Sequence, residues 1–144
     1  TLCTAKERMN YIRIKEQEVL PSLEYLSPFK CLVIISESVS QARQDEISMW
    51  LVKSGCVVMC AWGINCNSWD DSVDCASIEM FNYDLPPPER FVLTTWHENE
   101  SLDDVMFFLK RAISHSEHEL ENVVLLHVSS KNQVNEIVAK FENA

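Results

Sequence analysis

Cys56-Val57-Val58-Met59-Cys60-Ala61-Trp62 is an unbroken apolar run that begins directly after Gly55. It shows no polar alternation and is too short for a typical helix, which is the pattern of a strand buried on both faces of a parallel sheet. On its N-terminal side, Ile47, Trp50, Leu51 and Ser54 recur at helical spacing, with Ser38 to Ser40 available as a cap and Gly55 as the stop. Before that helix, Cys31-Leu32-Val33-Ile34-Ile35 is a second continuous run, rich in β-branched residues. Strand, helix and strand together form one β-α-β unit, and the rest of the chain extends it.

On the C-terminal side, Gly63 to Ser68 is expected to be a loop and Trp69-Asp70-Asp71-Ser72-Val73-Asp74 an acidic loop. Asp71 and Asp74 are spaced as a capping box, which predicts a short helix carrying Val73, Ala76 and Met80 on one face and ending near Phe81. Pro86, Pro87 and Pro88 lack backbone donors and predict an extended surface connector. Arg90 to Trp96 is the next strand. Ser101-x-x-Asp104 then opens a helix with the stripe Leu102, Val105, Met106, Leu109, Ala112 and Ile113. Asn122 to Val128 is a further buried strand, and Val134, Ile137, Val138 and Phe141 define a final amphipathic helix.

The N-terminal region is read separately. Residues 1–10 are polar and expected to fray. Tyr11-Ile12-Arg13-Ile14-Lys15 alternates as an edge strand does, although Met9, Ile12, Val19 and Leu20 also suit one face of a helix. Pro21 and Pro28, near Ser22 and Ser27, predict an irregular connection rather than a domain linker. Strands alternating with helices imply right-handed crossovers. The expected fold is a single α/β domain over residues 1–144: a three-layer sandwich with a mostly parallel sheet of four to five strands and helices on both faces, Rossmann-like or flavodoxin-like in outline.

Composition bounds the function. The chain has 144 residues, 47% of them apolar, with 22 acidic and 12 basic residues for a formal charge of -10. That charge repels phosphate backbones and anionic membranes and attracts basic partners, so direct nucleic-acid or membrane binding is not expected. Six Cys without a secretory hydrophobic segment predict reduced thiols and a cytoplasmic location, and a chain opening on Thr1 is compatible with a removed leader. The spacing of Cys56, Cys60, Cys66 and Cys75 fits no zinc pattern, while Cys31, Cys56 and Cys60 lie inside apolar runs as small hydrophobes.

Ligands of open parallel sheets bind beyond the carboxyl ends of the strands. That rule gathers Ser36 and Glu37, Trp62 to Asp74, Trp96 to Glu100 and His127 to Ser130 as neighbours. The first β-α connection, Ser36 to Ser40, has no Gly, and no phosphate-cradling loop or Gly-x-Ser-x-Gly elbow occurs. No cofactor is therefore expected.

Three readings of this edge follow. Asp70, Asp71, Asp74 or Glu98 beside His97 could ligate a divalent ion, although helix capping already explains two of these Asp residues. No metal is expected. Cys66, in the predicted loop, could be activated by His97 with Asp70 or Asp71 orienting the ring, giving a small hydrolase or transferase. Trp62, Trp69 and Trp96, ringed by Asp70, Asp71, Asp74, His97, Glu98 and Glu100, could anchor a protein partner, with at least one of these Trp expected to be a core lid instead.

The segments Trp50 to Cys56, Ala61-Trp62-Gly63, Trp69 to Asp74 and Thr94-Thr95-Trp96-His97 resemble an uncharacterised bacterial family of small single-domain proteins. The likeness spans roughly Tyr11 to His127. It departs from the family at Cys75, where an aromatic residue is usual. The resemblance implies an α/β fold and a bacterial cytoplasmic origin, and no catalytic role comes with it.

These readings favour a non-enzymatic binding protein over the small enzyme. The specific expectation is an immunity protein or antitoxin that neutralises a basic toxin, a nuclease being one such toxin, because a compact acidic domain mimics nucleic-acid charge and speeds encounter with a cationic site. Exposed Trp would equally serve a homodimer.

Overall fold

A computed structural model describes residues 7–144. Five strands, β1 (Arg8–Ile14), β2 (Phe29–Ile35), β3 (Cys56–Gly63), β4 (Leu93–Trp96) and β5 (Asn122–Val128), form one all-parallel sheet in the order β1-β5-β2-β3-β4. The helices are α1 (Gln41–Ser54), α2 (Cys66–Met80), α3 (Leu102–Phe107), continued by a π-helical turn over Phe108–Ala112, and α4 (Val134–Glu142). The expected architecture is present, with a strand order of its own: β5 is inserted between β1 and β2.

The period of two along each strand builds the three layers. Cys31, Val33 and Ile35 of β2 with Val124, Leu126 and Val128 of β5 meet Ile47 and Leu51 of α1 and Trp69 and Val73 of α2. Leu32 and Ile34 with Val123 and Leu125 meet Val105, Met106 and Leu109 around α3 and Ile137 and Phe141 of α4. β2 and β5 are central and read as continuous apolar runs because both faces are covered; β1 and β4 are the edges.

Local chemistry sets the helix ends. Ser40 caps α1 by accepting from the Arg43 amide at 3.1 Å, and Gly55 closes it in the left-handed conformation at φ 100°. Ser101 caps α3 by accepting from the Asp104 amide at 3.1 Å. Gly63 is required by close approach: at φ 111° an added Cβ would stand 2.3 Å from the Ile35 carbonyl oxygen, which accepts from the Ile64 amide at 3.0 Å.

Four local expectations need correction, the first being the strand expected from Arg90, which begins only at Leu93 after a 3-10 turn over Pro88–Arg90. Helix α2 starts at Cys66, so the Trp69–Asp74 segment lies within the helix and Asp71 and Asp74 form no capping box; the preceding Asn65 turns the chain in the left-handed region at φ 52° without a side-chain cap. Strand β1 already runs from Arg8, because its backbone pairs with β5 from Asn122 onward; residues 1–6 of the expected frayed segment lie outside the described residues. The stripe expected to continue helically to Ile113 passes into the π-helical turn, and Ile113 is extended. Residues 15–28 form the irregular β1–β2 connection, with a 3-10 turn at Glu24–Leu26.

Candidate functional site

Helices leave adjacent strands for opposite faces at two places along the carboxyl edge of the sheet. β3 leads to α2 on one face while β4 leads to α3 on the other. Between their exits lies a cleft of about 380 Å³ lined by Trp62, Asn65, Cys66, His97, Glu98 and Glu100, among others. Among the sequence-predicted residues, Trp62, Cys66, His97, Glu98 and Glu100 thus come together.

His97 is buried and fully engaged. Its Nε2 lies 2.9 Å from Thr95 Oγ1, its Nδ1 lies 2.9 Å from the Glu100 carboxylate, and its ring packs on Phe108 at 4.9 Å between centroids. Trp62 is half-buried and donates its indole N–H to the Glu100 carbonyl at 2.8 Å. The resulting Trp62–Glu100–His97 corner is braced from both strands. Cys66, expected in an exposed loop, is buried as the first residue of α2.

The aspartates lie elsewhere. Asp74 accepts from the Thr94 hydroxyl at 2.9 Å and so ties α2 to β4. Its carboxyl is held above the ordinary value mainly by desolvation and further by Asp70 and Asp71, while the Thr94 bond acts in the opposite direction. Asp70 is buried and keeps one carboxyl oxygen without a hydrogen-bond partner among the described residues. Asp71 points into a separate groove between α1 and α2 that it shares with Asp45, Glu46 and Glu79. Among the described residues no three His, Cys, Asp or Glu side chains form a set that could hold a metal ion.

The Trp residues divide. Trp69 is 1% exposed, a core residue of the α2 face, whereas Trp96 is 51% exposed on the edge strand β4. Trp69 therefore cannot anchor a partner. Burial also raises the thiols of Cys31 and Cys56, and brings Cys60 to about 11, consistent with their placement inside apolar runs.

A second polar cluster lies between β2 and β5, where the chain leaves toward α1 on one face and α4 on the other. Here His127, wholly buried near the end of β5, places Nδ1 2.7 Å from Tyr11 Oη of β1 and Nε2 2.8 Å from Ser36 Oγ just beyond β2. Ser36 is exposed. Desolvation lowers the proton affinity of His127, with Arg13 adding to that effect and Glu37 opposing it. Glu37 is fixed by Ser130, whose amide donates at 2.7 Å and whose hydroxyl donates at 2.6 Å, and these bonds hold its carboxyl below the ordinary value. The sequence rule gathers Ser36, Glu37 and His127 to Ser130 at this edge but misses Tyr11, whose only signal is its place in the β1 alternation.

The described residues form an all-parallel α/β sandwich with a braced carboxyl edge. Residues 9–144 match the family model of a domain of unknown function (DUF7684), and the chain belongs to that family. No curated protein and no solved structure gives a significant match. Among the described residues, no helix is long and apolar enough to cross a membrane.

Proposed function

We infer that this chain is a binding protein for a basic protein partner, and within that class an immunity protein or antitoxin that neutralises a cationic toxin such as a nuclease. The observation that carries the reading is the formal charge of -10 combined with a half-exposed Trp96 on an edge strand. β4 pairs only with β3, so its outer edge has no strand partner among the described residues. Asp74 lies directly behind it through Thr94. An aromatic anchor set among carboxylates gives an acidic domain both encounter rate and a specific contact.

The partners of His97 support this reading over an enzyme that uses His97 with Asp70, Asp71 or Cys66. In that enzyme the ring would be held by Asp70 or Asp71 and face Cys66, whereas its two nitrogens meet Thr95 and Glu100 instead.

The test is capture of interacting proteins by the tagged chain at low ionic strength, repeated with Trp96→Ala and with Asp71→Asn combined with Asp74→Asn. The expected result is one near-stoichiometric basic partner, released by salt and weakened by both variants. Retention that is indifferent to salt and to both variants overturns the reading.

A further inference from the structure

We propose that Ser36 is a nucleophile served by His127, and that the β2–β5 edge takes activated acyl groups such as aryl esters or thioesters. This inference is independent of the protein-binding reading and uses a different part of the sheet.

The geometry is that of nucleophile, base and orienting group. Ser36 Oγ is exposed at the carboxyl end of β2, where neighbouring chain exits diverge. Behind it the imidazole of His127 is buried, 2.8 Å away through Nε2, and its other nitrogen meets Tyr11 Oη at 2.7 Å. The three side chains come from β1, β5 and the end of β2, separated by 116 and 91 residues in the chain. Register holds them: Ile34 is paired with His127, and Arg13 is the β1 partner of His127. The Ser36 and Glu37 amides both donate to the Val128 carbonyl, at 3.1 and 3.3 Å, which pins the turn carrying the hydroxyl.

With the ring proton on Nδ1 donated to Tyr11 Oη, the Nε2 lone pair accepts the Ser36 proton as Oγ attacks the acyl carbon. The Oγ–C bond forms and the bond from carbon to the leaving oxygen or sulfur breaks. His127 returns its proton to the leaving group. Water, deprotonated by the same nitrogen, then cleaves the acyl-serine and regenerates the hydroxyl. Because Val128 occupies the Ser36 and Glu37 amides, neither can stabilise the oxyanion, and Tyr11 stands where a carboxylate would support the imidazolium more strongly. Both facts restrict the site to acyl groups with a good leaving group.

The experiment treats the whole chain with p-nitrophenyl acetate and maps acetylation by mass spectrometry while following p-nitrophenol release. The expected result is selective acetylation of Ser36, at least ~100-fold faster than at the exposed Ser116, and absent in Ser36→Ala. The labelling rate should rise with pH as His127 loses its proton, a titration set by Arg13, Glu37 and Tyr11 around it. Tyr11→Phe, which removes the acceptor for Nδ1–H, should move that midpoint to lower pH and reduce the plateau several-fold. Equal labelling of Ser36 and Ser116, or a Tyr11→Phe midpoint that stays in place or moves to higher pH, overturns the proposal. So does undiminished Ser36 labelling in a His127→Gln chain that keeps its native circular dichroism. If His127→Gln fails to fold, the Tyr11→Phe profile and the Ser36 to Ser116 ratio still decide.

Discussion

Lys30 donates its ammonium to the Leu109 carbonyl at 2.7 Å, joining the start of β2 to the π-helical turn that ends α3. The same Nζ meets the Glu7 carboxylate at 3.0 Å, and the Lys30 side chain is only 5% exposed. The Leu109 carbonyl is one of those that a helix end leaves without an intrahelical donor, so a buried cation completes it. Lys30→Met removes the cation and leaves a carboxylate and a carbonyl unpaired. Loss of one partner from a buried pair is expected to cost about 3 kcal/mol, read from urea unfolding. Adding Glu7→Gln should recover part of it, and a single variant as stable as the parent would show that the contact contributes nothing.

Trp69 and Trp96 should separate cleanly in stability. Trp69 is fully enclosed on the α2 face, so Trp69→Ala opens a cavity and is expected to cost ~3–5 kcal/mol. Trp96 is 51% exposed on β4, and Trp96→Ala should stay within ~0.5 kcal/mol. Thermal and urea unfolding of the two variants checks both numbers, and comparable losses would place Trp96 in the packing of the edge instead.

That contrast also marks what the sequence could convey. β2, β3 and β5 are legible because strands covered on both faces need apolar side chains at most positions, and the runs Cys31 to Ile35 and Val123 to Leu126 leave little alternative. The start of α2 is hidden because Asp71 and Asp74 have the spacing of a cap, while the true N-cap, Asn65, makes no side-chain bond to signal it. The stripe Cys66, Trp69, Val73, Ala76 and Met80 carries the helical period from the true start onward. The edge rule places Ser36 near His127, but the contact with Tyr11 depends on β5 inserting between β1 and β2, a long-range pairing that no local pattern encodes.

Asp74 carries a charge that the fold disfavours. Its carboxyl is raised mainly by desolvation and then by Asp70 and Asp71. A carboxyl raised on folding stabilises the native state at low pH, where it is protonated, and that contribution is lost as pH rises through the folded value. Asp74→Asn keeps an acceptor for the Thr94 hydroxyl and removes the charge. At pH 7 it should raise stability by less than ~1 kcal/mol, with the gain vanishing as pH falls below the ordinary carboxylate range. Urea midpoints of parent and variant across that range decide it, and a loss at pH 7 would mean that the ionised form is what holds Thr94.

His127 should make the domain sensitive to mild acid. Desolvation chiefly, and Arg13 in addition, lower its proton affinity below the ordinary value, against the opposing influence of Glu37. In the unfolded chain the same ring titrates near about 6.5. Between that value and the lower folded one, the unfolded state binds the proton and the native state does not, so stability falls as pH drops through this window. Above about 6.5 neither state holds the proton and this dependence is flat. His127→Gln keeps polar atoms near Tyr11 and Ser36 but removes the titration. The difference in unfolding free energy between parent and variant should therefore be constant at neutral and alkaline pH and shift toward the variant as pH falls below about 6.5. The carboxylates common to both proteins cancel in that difference. A difference that is flat across the whole range would show that His127 takes up its proton equally in the folded and unfolded chain.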